Sequence, residues 1–310
     1  MKIKKFFSLI LALTLSLFAF SLVACGGGDN GDETALKFTE QSGAYAVSGY
    51  EGEVTSVVIP ETYQGKAVTK ILAKAFEGTE IEEITIPKSI TEMGSDAFFS
   101  CQKLKKVTFT GTIDQWAEIK FVNEHANPIS ASKKLIINGS EVTTANFTTA
   151  TKIGDYAFCN YTPLTSVDLG DNVVTVGVSA FDGCSKIANL TLGDKVERFE
   201  YRAFGTCSSL TSVVFTDSVT TLCAESFRDC GSLQSIYIPA SVTLIEKAAF
   251  NYDSALKSAV FEVTEGWFVT QNEVAAFGEE IDPEVMADDE EVAELLSVRL
   301  YDDSYYWKRT

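Results

Sequence analysis

Histidine is almost missing from this chain, since His125 is the only one among 310 residues. Nucleophilic catalysis needs a base beside the nucleophile, and the sequence has neither a Gly-x-Ser-x-Gly nor a His-Glu-x-x-His motif. The glycines at 26–28 precede no strand-to-helix unit, which excludes a phosphate-binding loop there. The sequence therefore predicts no catalytic residue, no cofactor and no metal site. Because carboxylates are plentiful, a glycan or peptide hydrolase stays open as a remote alternative.

Basic residues are the second deficit. Lys and Arg total 25 against 43 Asp and Glu, which gives a formal net charge of −18. Nucleic acid is a poor partner for such a chain because phosphate binding requires a basic face. The hydrophobic fraction of 45% is ordinary for a globular protein, so the chain can bury a large core.

An apolar run of transmembrane length is also missing. The longest apolar-rich run, at 6–20, has 15 residues and is too short to span a membrane comfortably. It follows Lys2, Lys4 and Lys5 and precedes small residues, which is the layout of a secretory signal. The segment 25–35 that follows is rich in Gly and Asp, has nothing to pack, and is typical of a flexible tether.

The end of this signal carries a recognisable motif. Leu22-Val23-Ala24-Cys25 resembles the lipobox of bacterial lipoproteins. That resemblance implies that the signal peptide 1–24 is removed and that the Cys25 thiol is lipidated, which anchors the exported protein at the extracellular side of the membrane. The alternative is an ordinary signal peptide with a cysteine there by chance.

A fixed period of 23 residues organises most of the chain. The phenylalanines that mark it are Phe158, Phe181, Phe204, Phe227 and Phe250. Phe76 and Phe98, which are 22 residues apart, belong to the same series. Each unit also carries three apolar positions in the pattern of Leu233, Ile236 and Ile238. Such regular repetition predicts a stack of similar coils.

One coil cannot bury its apolar side alone. The Leu-x-x-Ile-x-Ile stretch alternates as a short strand does, and the later Ala-Phe-x-x-Cys stretch has the spacing of one helical turn. Stacked coils bury these side chains against their equivalents about 4.8 Å away, and parallel crossovers are right-handed. The predicted fold is therefore an α/β, β-rich, right-handed solenoid with short parallel strands, 23-residue coils and short helical turns.

Several segments resemble one known family. The unit from Leu233 to Phe250 is similar to the repeat of BspA-type leucine-rich-repeat surface lipoproteins of bacteria. The segment 62–71 resembles their first repeat, 111–119 a common insertion, and 305–309 their C-terminal ending. The resemblance covers residues 36–310. It implies a leucine-rich-repeat solenoid with a cell-surface binding role, adhesion to host or neighbouring cells being the usual proposal, and it carries over no catalytic residues.

The period also divides the chain. We expect an N-terminal cap at 36–53 that forms a hairpin around Gly43, a solenoid at 54–261, and a C-terminal cap at 262–310. Phe98 and Phe158 are 60 residues apart, which places an insert near 110–150. Trp116 and His125 lie in it. Trp116 is expected on the coil surface and His125 in a solvated loop; alternatively, the insert shapes one wall of a binding site.

Four cysteines share one register, three residues after the repeat phenylalanine: Cys101, Cys184, Cys207 and Cys230. Tyr161 and Asp253 take the equivalent place in other coils. The shared register predicts an inward ladder of free thiols, in which cysteine behaves as a small hydrophobe. Stacked parallel side chains do not readily give disulfide or zinc geometry.

The outward residues of the strands form the candidate binding face. Small hydroxyl and amide groups dominate it, and the selected residues are Thr165, Ser166, Asp168, Asn189, Thr191, Thr211, Ser212, Gln234, Ser235 and Tyr237. Thr and Ser also simply suit exposed strands. The functional hypothesis is recognition of a protein or glycan ligand on host or neighbouring cells, and the alternative is a structural envelope protein that assembles with partners on its own cell. The ligand and the oligomeric state stay open.

Overall fold

The computed structural model describes residues 35–271, 278–297 and 305–309. The predicted signal peptide, the lipid-attachment site Cys25 and all of the predicted tether except its last residue lie outside these described residues. Within the described part of the chain, no helix combines the length and the apolar character needed to cross a membrane.

A β-hairpin begins the described chain. Strands β1 (Leu36–Gln41) and β2 (Ala44–Tyr50) pair antiparallel around Ser42 and Gly43, which have positive φ angles of 51° and 83°. Two positive φ angles in succession match the right-handed twist of a tight hairpin. Strand β2 then pairs in parallel with β5 (Lys66–Ile71) of the first coil, so the hairpin covers one edge of the coil stack.

Each coil contributes one strand to a first set, which follows the Leu-x-x-Ile-x-Ile pattern. These strands are β3 (Ser56–Val58), β6 (Glu83–Ile86), β8 (Lys106–Phe109), β10 (Leu135–Ile137), β12 (Thr144–Asn146), β14 (Ser166–Asp168), β16 (Asn189–Thr191), β18 (Ser212–Val214), β20 (Ser235–Ile238) and β22 (Ser258–Phe261). Their side chains alternate between core and solvent, as a strand periodicity of two requires.

A second set of mostly two-residue strands runs along another side of the stack. After β4 (Thr62–Tyr63), which pairs antiparallel with β5, these strands are β7 (Glu92–Met93), β9 (Lys120–Phe121), β13 (Lys152–Ile153), β15 (Thr175–Val176), β17 (Arg198–Phe199), β19 (Thr221–Leu222) and β21 (Leu244–Ile245). They pair in parallel from β5 to β9 and again from β13 to β21. The repeat solenoid predicted from the 23-residue period is confirmed.

The Ala-Phe segment differs from the expected turn of helix. Two residues with positive φ, four apart, flank each repeat phenylalanine; around Phe158 they are Tyr156 (59°) and Asn160 (60°). A left-handed residue interrupts a right-handed helix. The backbone N–H of Phe158 instead donates to the Ala180 carbonyl of the next coil, at 2.7 Å. These turns therefore combine short-range backbone hydrogen bonds, such as Tyr161 N–H to the Phe158 carbonyl, with backbone hydrogen bonds to the next coil.

The repeat phenylalanines form two aromatic stacks in the core, one on each side of the insert. From Phe158 to Phe250 neighbouring ring centroids lie 4.8 to 5.7 Å apart and the rings are nearly parallel. Phe76 and Phe98 stack in the same way at 5.0 Å. Each ring is buried by its neighbours above and below, so the stability of a coil depends on adjacent coils.

The cysteine ladder lies inside the core, as its register predicts. Each ladder thiol donates to the carbonyl of the repeat phenylalanine one coil earlier, and the Sγ–O distances are 3.0 to 3.4 Å. Burial raises the pKa of Cys184 and of Cys207. Cys159 and Cys223, which belong to no ladder, are also buried, and burial raises the pKa of each to about 12. All six cysteines in the described chain are free thiols.

The insert is built into the solenoid. Helix α1 (Ile113–Ala117) begins with a capping box between Thr112 and Gln115, and places Trp116 inward. Trp116 is fully buried and its Nε1 donates to the Ala157 carbonyl at 2.9 Å. The expectation that Trp116 lies on the coil surface was therefore wrong, because the helix turns the indole into the core. A 3₁₀ turn (Glu124–Ala126), helix α2 (Ile129–Ser132) and strand β11 (Ser140–Glu141) complete the insert.

The chain ends by extending the second strand set. Strands β23 (Trp267–Thr270), β24 (Glu279–Glu280) and β25 (Tyr306–Arg309) add antiparallel to β21, with β25 next to it. Helices α3 (Pro283–Met286) and α4 (Asp289–Ser297) accompany them, and α4 contacts β22. Strand β22 is the last member of the first set, so α4 covers an edge that would otherwise be open.

Candidate binding face

The outward side of the first strand set is the candidate face, but it is not the continuous sheet that the sequence predicts. It consists of a front sheet (β11-β10-β8-β6-β3), a middle sheet (β12-β14-β16) and a back sheet (β18-β20-β22). The front sheet ends because β10 turns back on β11 as a hairpin. In the described chain β16 and β18 are neighbours without strand pairing, and Leu190 and Leu192 beside this break are only half-buried.

The predicted face residues divide evenly between two of these sheets. The middle sheet carries Thr165, Ser166, Asp168, Asn189 and Thr191, and the back sheet carries Thr211, Ser212, Gln234, Ser235 and Tyr237. Ser166, Ser235 and Tyr237 are half-buried and the other seven are exposed. The sequence thus places all ten side chains on the solvent side of the strands, but they are divided between two separate sheets, five on each.

On the middle sheet, polar side chains face one another across strands. Ser166 lies opposite Asn189, and Asp168 lies opposite Thr191. Two of the predicted residues are already engaged locally: the Thr165 hydroxyl donates to the Thr143 carbonyl at 2.9 Å, and Asp168 accepts from the Gly170 N–H at 3.0 Å. Part of this polarity therefore serves the turns and the coil-to-coil contacts of the solenoid itself.

The back sheet has an apolar centre. Val214 lies opposite Tyr237, and Tyr237 lies opposite Val260, so three large side chains form one row across three coils. Val214 is 67% exposed and Val260 is 37% exposed. We call this row, Val214, Tyr237 and Val260, the apolar row. The serines of the back sheet, Ser212, Ser235 and Ser258, form a parallel row beside it.

Tyr237 anchors the middle of the apolar row. Loss of solvent contact and the nearby carboxylates of Glu262 and Asp217 raise the pKa of Tyr237. Glu262 is itself fixed, because its Oε2 accepts from the Ala240 N–H at 2.8 Å. Tyr237 is half-buried on a strand that is paired on both sides, which restricts its side chain and lowers the entropic cost of using it as a contact.

Sequence reasoning placed both Val214 and Tyr237 on the outward side of the strands, but it selected only Tyr237 as a binding residue and did not consider Val260. Val260 follows Tyr237 by 23 residues and Val214 precedes it by 23. The shared period was the available signal, and it was missed because an exposed valine on a strand is ordinary by itself. The strand pairing establishes that the three side chains are contiguous.

The geometry is that of a known repeat family. A sequence family described as the BspA type leucine-rich repeat region matches residues 45–144 and 136–257, with six copies of the repeat. These matches span more than half of the chain. The chain belongs to the BspA-type leucine-rich-repeat family. Members of this family are repeat scaffolds that generally bind proteins and are not generally enzymes.

Solved structures similar to this BspA-type chain are leucine-rich-repeat proteins of bacteria. A leucine rich cell surface protein of Faecalibacterium prausnitzii is 17% identical, with a TM-score of 0.40; 78% of this chain and 97% of that chain are covered. A leucine-rich-repeat protein of T. pallidum is 18% identical, with a TM-score of 0.43 and coverages of 74% and 91%. The pneumococcal vaccine antigen PcpA is 16% identical, with a TM-score of 0.41 and coverages of 74% and 86%. No curated protein matches the chain significantly.

The front sheet of this BspA-type solenoid offers a contrast to the apolar row. Its outward side carries ion pairs between neighbouring coils: Lys105 contacts Glu82 at 2.9 Å, and Lys106 pairs with Glu83. Such exposed pairs are worth little and are well solvated. Across the described chain, no cluster of three or more His, Cys, Asp or Glu side chains has the arrangement of a metal site. The apolar row is therefore the most distinctive feature of the candidate face.

Proposed function

We propose that this protein is an exported, lipid-anchored surface protein that binds a protein partner without catalysis, through the back sheet. The apolar row carries the proposal. Protein interfaces draw most of their affinity from a few large side chains, tyrosine prominent among them, surrounded by a polar rim. Here Ser212, Ser235, Gln234 and Thr211 supply that rim beside Val214, Tyr237 and Val260.

The sequence also indicates how the back sheet would be exposed at the cell surface. Lipidation of Cys25 would hold the solenoid at the membrane, and the Gly- and Asp-rich tether would let it reach outward. The apolar row is small, so a single contact is expected to be weak. Many copies anchored on one cell would bind a surface far more strongly than one copy does. This multivalency supports adhesion to host or neighbouring cells.

The binding face is tested with the soluble fragment 29–310 on arrays of matrix proteins and on intact cells in physiological salt. V214S and Y237S should each weaken the strongest saturable interaction by about tenfold or more. V58S is the matched control, because Val58 is 61% exposed at an outward strand position of the front sheet. Equal losses in V58S and V214S, or no saturable protein binding at all, would contradict the proposal.

The anchor and the cellular role need separate tests. C25S should release the protein from the cell envelope and abolish metabolic labelling with a fatty acid, whereas an ordinary signal peptide predicts no labelling in either protein. Crosslinking on intact cells distinguishes adhesion from the alternative, a structural envelope protein. Partners found only on the same cell would favour that alternative.

A further inference from the structure

The solenoid has a cleft on its turn edge, away from the strand face. It lies where the coil of Phe98 meets the insert, it is open to solvent, and its volume is about 410 Å³. The residues that matter for its chemistry are Phe99, Gln102, Glu124, His125, Ser130 and Asn160. Its volume is within the range of about 300 to 1,000 Å³ typical of small-molecule sites.

The cleft arises from one local substitution in the repeat. In regular coils the N–H of the repeat phenylalanine donates to the residue just before the next repeat phenylalanine, as Phe158 does to Ala180. Phe98 donates instead to the His125 carbonyl at 3.0 Å. His125 therefore takes the alanine place and Ala126 takes the place of the next phenylalanine. From Pro128 onward the chain leaves the coil path to form α2, which opens the space.

The walls of the cleft are held firmly. The Asn123 side chain accepts from the Ala126 N–H at 2.9 Å and donates to Asp96 at 2.9 Å, which joins the 3₁₀ turn to the neighbouring coil. The Ser130 hydroxyl donates to the Cys159 carbonyl at 2.9 Å on the opposite side. Both walls are thus fixed by hydrogen bonds that do not need a ligand.

An aromatic platform lies on one wall. Phe99 is 43% exposed, and its ring centroid is 4.8 Å from that of His125, with the two rings tilted by 57°. Phe99 follows the buried Phe98 directly in the turn, and its ring is exposed while that of Phe98 lies in the core. An exposed aromatic face of this kind packs well against a ligand surface made of C–H groups.

The polar groups of the cleft are mostly neutral. Gln102 and Asn160 offer side-chain amides, Ser130 a hydroxyl, and Glu124 a carboxylate. Glu124 is the one acidic residue among the described residues that line the cleft, and it disfavours an anionic ligand. The amides of Gln102 and Asn160 and the hydroxyl of Ser130 are uncharged hydrogen-bonding groups, which suit a ligand rich in hydroxyls.

We propose that this cleft binds a neutral sugar, one or two pyranose rings at the end of a glycan. The C–H face of a pyranose would pack on Phe99, and its hydroxyls would exchange hydrogen bonds with Glu124, Gln102 and Asn160. These groups suit hydroxyls because a carboxylate accepts hydrogen bonds from them and a side-chain amide both accepts and donates. The site is separate from the back sheet, so the protein would carry two binding surfaces with different ligands.

The test uses the soluble fragment 29–310 on an array of neutral, sialylated and sulfated oligosaccharides, followed by titration of the strongest neutral sugar. F99A should weaken that binding at least tenfold, and E124Q should weaken it less. Y201A is the matched control, because Tyr201 is also 43% exposed on the turn edge of another coil. Thermal unfolding of each variant checks that it folds, and Y201A should bind the sugar as the unchanged protein does.

Three results would overturn this site. The first is that no neutral sugar binds at millimolar concentration, and the second is that F99A and Y201A weaken sugar binding equally. The third is that F99A loses binding of a peptide but keeps binding of the sugar, which would assign the cleft to protein recognition. The two proposals stay distinguishable. Y237S should keep sugar binding, and F99A should keep the protein interaction of the back sheet.

Discussion

Asp253 and Cys230 occupy equivalent places in adjacent coils, and the Oδ1 of Asp253 accepts a hydrogen bond from the Cys230 N–H at 2.7 Å. A carboxyl group thus continues the cysteine ladder. Asp253 is fully buried, and within the described chain its Oδ2 has no hydrogen-bond partner. Burial raises the pKa of Asp253 well above its usual range, with the nearby Asp229 carboxylate adding to the effect.

This raised pKa predicts a specific pH dependence of stability. Below the usual pKa of an aspartate, about 4, both folded and unfolded chains hold the proton. As the pH rises further, the unfolded chain ionises while the folded one does not, so stability falls by up to about 1.4 kcal/mol per pH unit until the pH reaches the folded pKa. Substitution D253C restores the ladder and should raise the free energy of unfolding at neutral pH.

Urea unfolding between about pH 4 and pH 7 checks the prediction. The stability difference between D253C and the unchanged protein should grow with pH across this range, and D253N should behave like D253C. A difference that stays constant, or that shrinks as the pH rises, would show that Asp253 is not held in its protonated form.

Asp114 stabilises the insert in its ionised form, whereas the buried Asp253 is held in its protonated form. The Asp114 Oδ1 accepts from the backbone N–H groups of Thr148, Thr149 and Ala150, at 2.8 to 2.9 Å. Burial alone would raise the pKa of Asp114, but these donors outweigh it and lower the pKa. Substitution D114N should cost about 2 kcal/mol of stability, because it weakens hydrogen bonds to a charged group.

The stabilisation by Asp114 should be complete above the usual aspartate pKa and be lost as the pH falls through the lower folded pKa. Denaturant unfolding from about pH 6 down to about pH 3 measures this as the difference between the unchanged protein and D114N. E118Q is the control: the Oε1 of exposed Glu118 accepts a single backbone hydrogen bond, from Thr151. A cost for E118Q equal to that for D114N would contradict the assigned role.

Close packing between coils leaves no room for a side chain at Gly193. A Cβ atom there would lie 1.9 Å from the Gly170 carbonyl oxygen, which is backbone and cannot move aside easily. Substitution G193A should destabilise the fold by about 1 to 3 kcal/mol, as overpacking does. Thermal unfolding measures the change, and G231A is the control because nothing lies within 4 Å of its Cβ position. Similar melting temperatures for the two variants would be evidence against this tight contact.

Arg202 joins three consecutive coils along the turn edge. Its Nε donates to Asp182 and its Nη1 to Glu225, each at 2.9 Å. The hydrogen bond to Asp182 is the largest contribution that raises the pKa of Arg202. Substitution R202M leaves partly buried Asp182 without its counter-ion and leaves Glu225 with only the longer contact to Arg228, at 3.4 Å, so we expect a loss of about 2 kcal/mol.

Chemical unfolding of R202M and K103M at the same ionic strength tests this role. Lys103 pairs with Glu80, but both side chains are more than half exposed, so K103M should cost less than about 0.5 kcal/mol. Added salt should reduce the small K103M effect more than the R202M effect. Equal costs for the two variants would mean that the Arg202 pairs act only as surface charges.

The insert shows where sequence reasoning stopped. Its existence follows from the 60-residue interval between Phe98 and Phe158, and its candidate role as a wall of a binding site follows from its position. Trp116 was misplaced because a lone tryptophan in an irregular segment has no repeat equivalent to fix its direction. The cleft beside Phe99 was not visible at all, because it depends on His125 replacing an alanine in the coil path.

The amino-acid sequence alone predicts the 23-residue coil, the phenylalanine stacks, the inward cysteine ladder and the solvent side of the strands. These features follow from contacts between a residue and its equivalent in the next coil, so the period alone specifies them. The division of the strand face into three sheets and the cleft at the insert emerge only in the folded chain. Each of these depends on how one particular coil meets the next, and a periodic pattern of residue types does not encode that register.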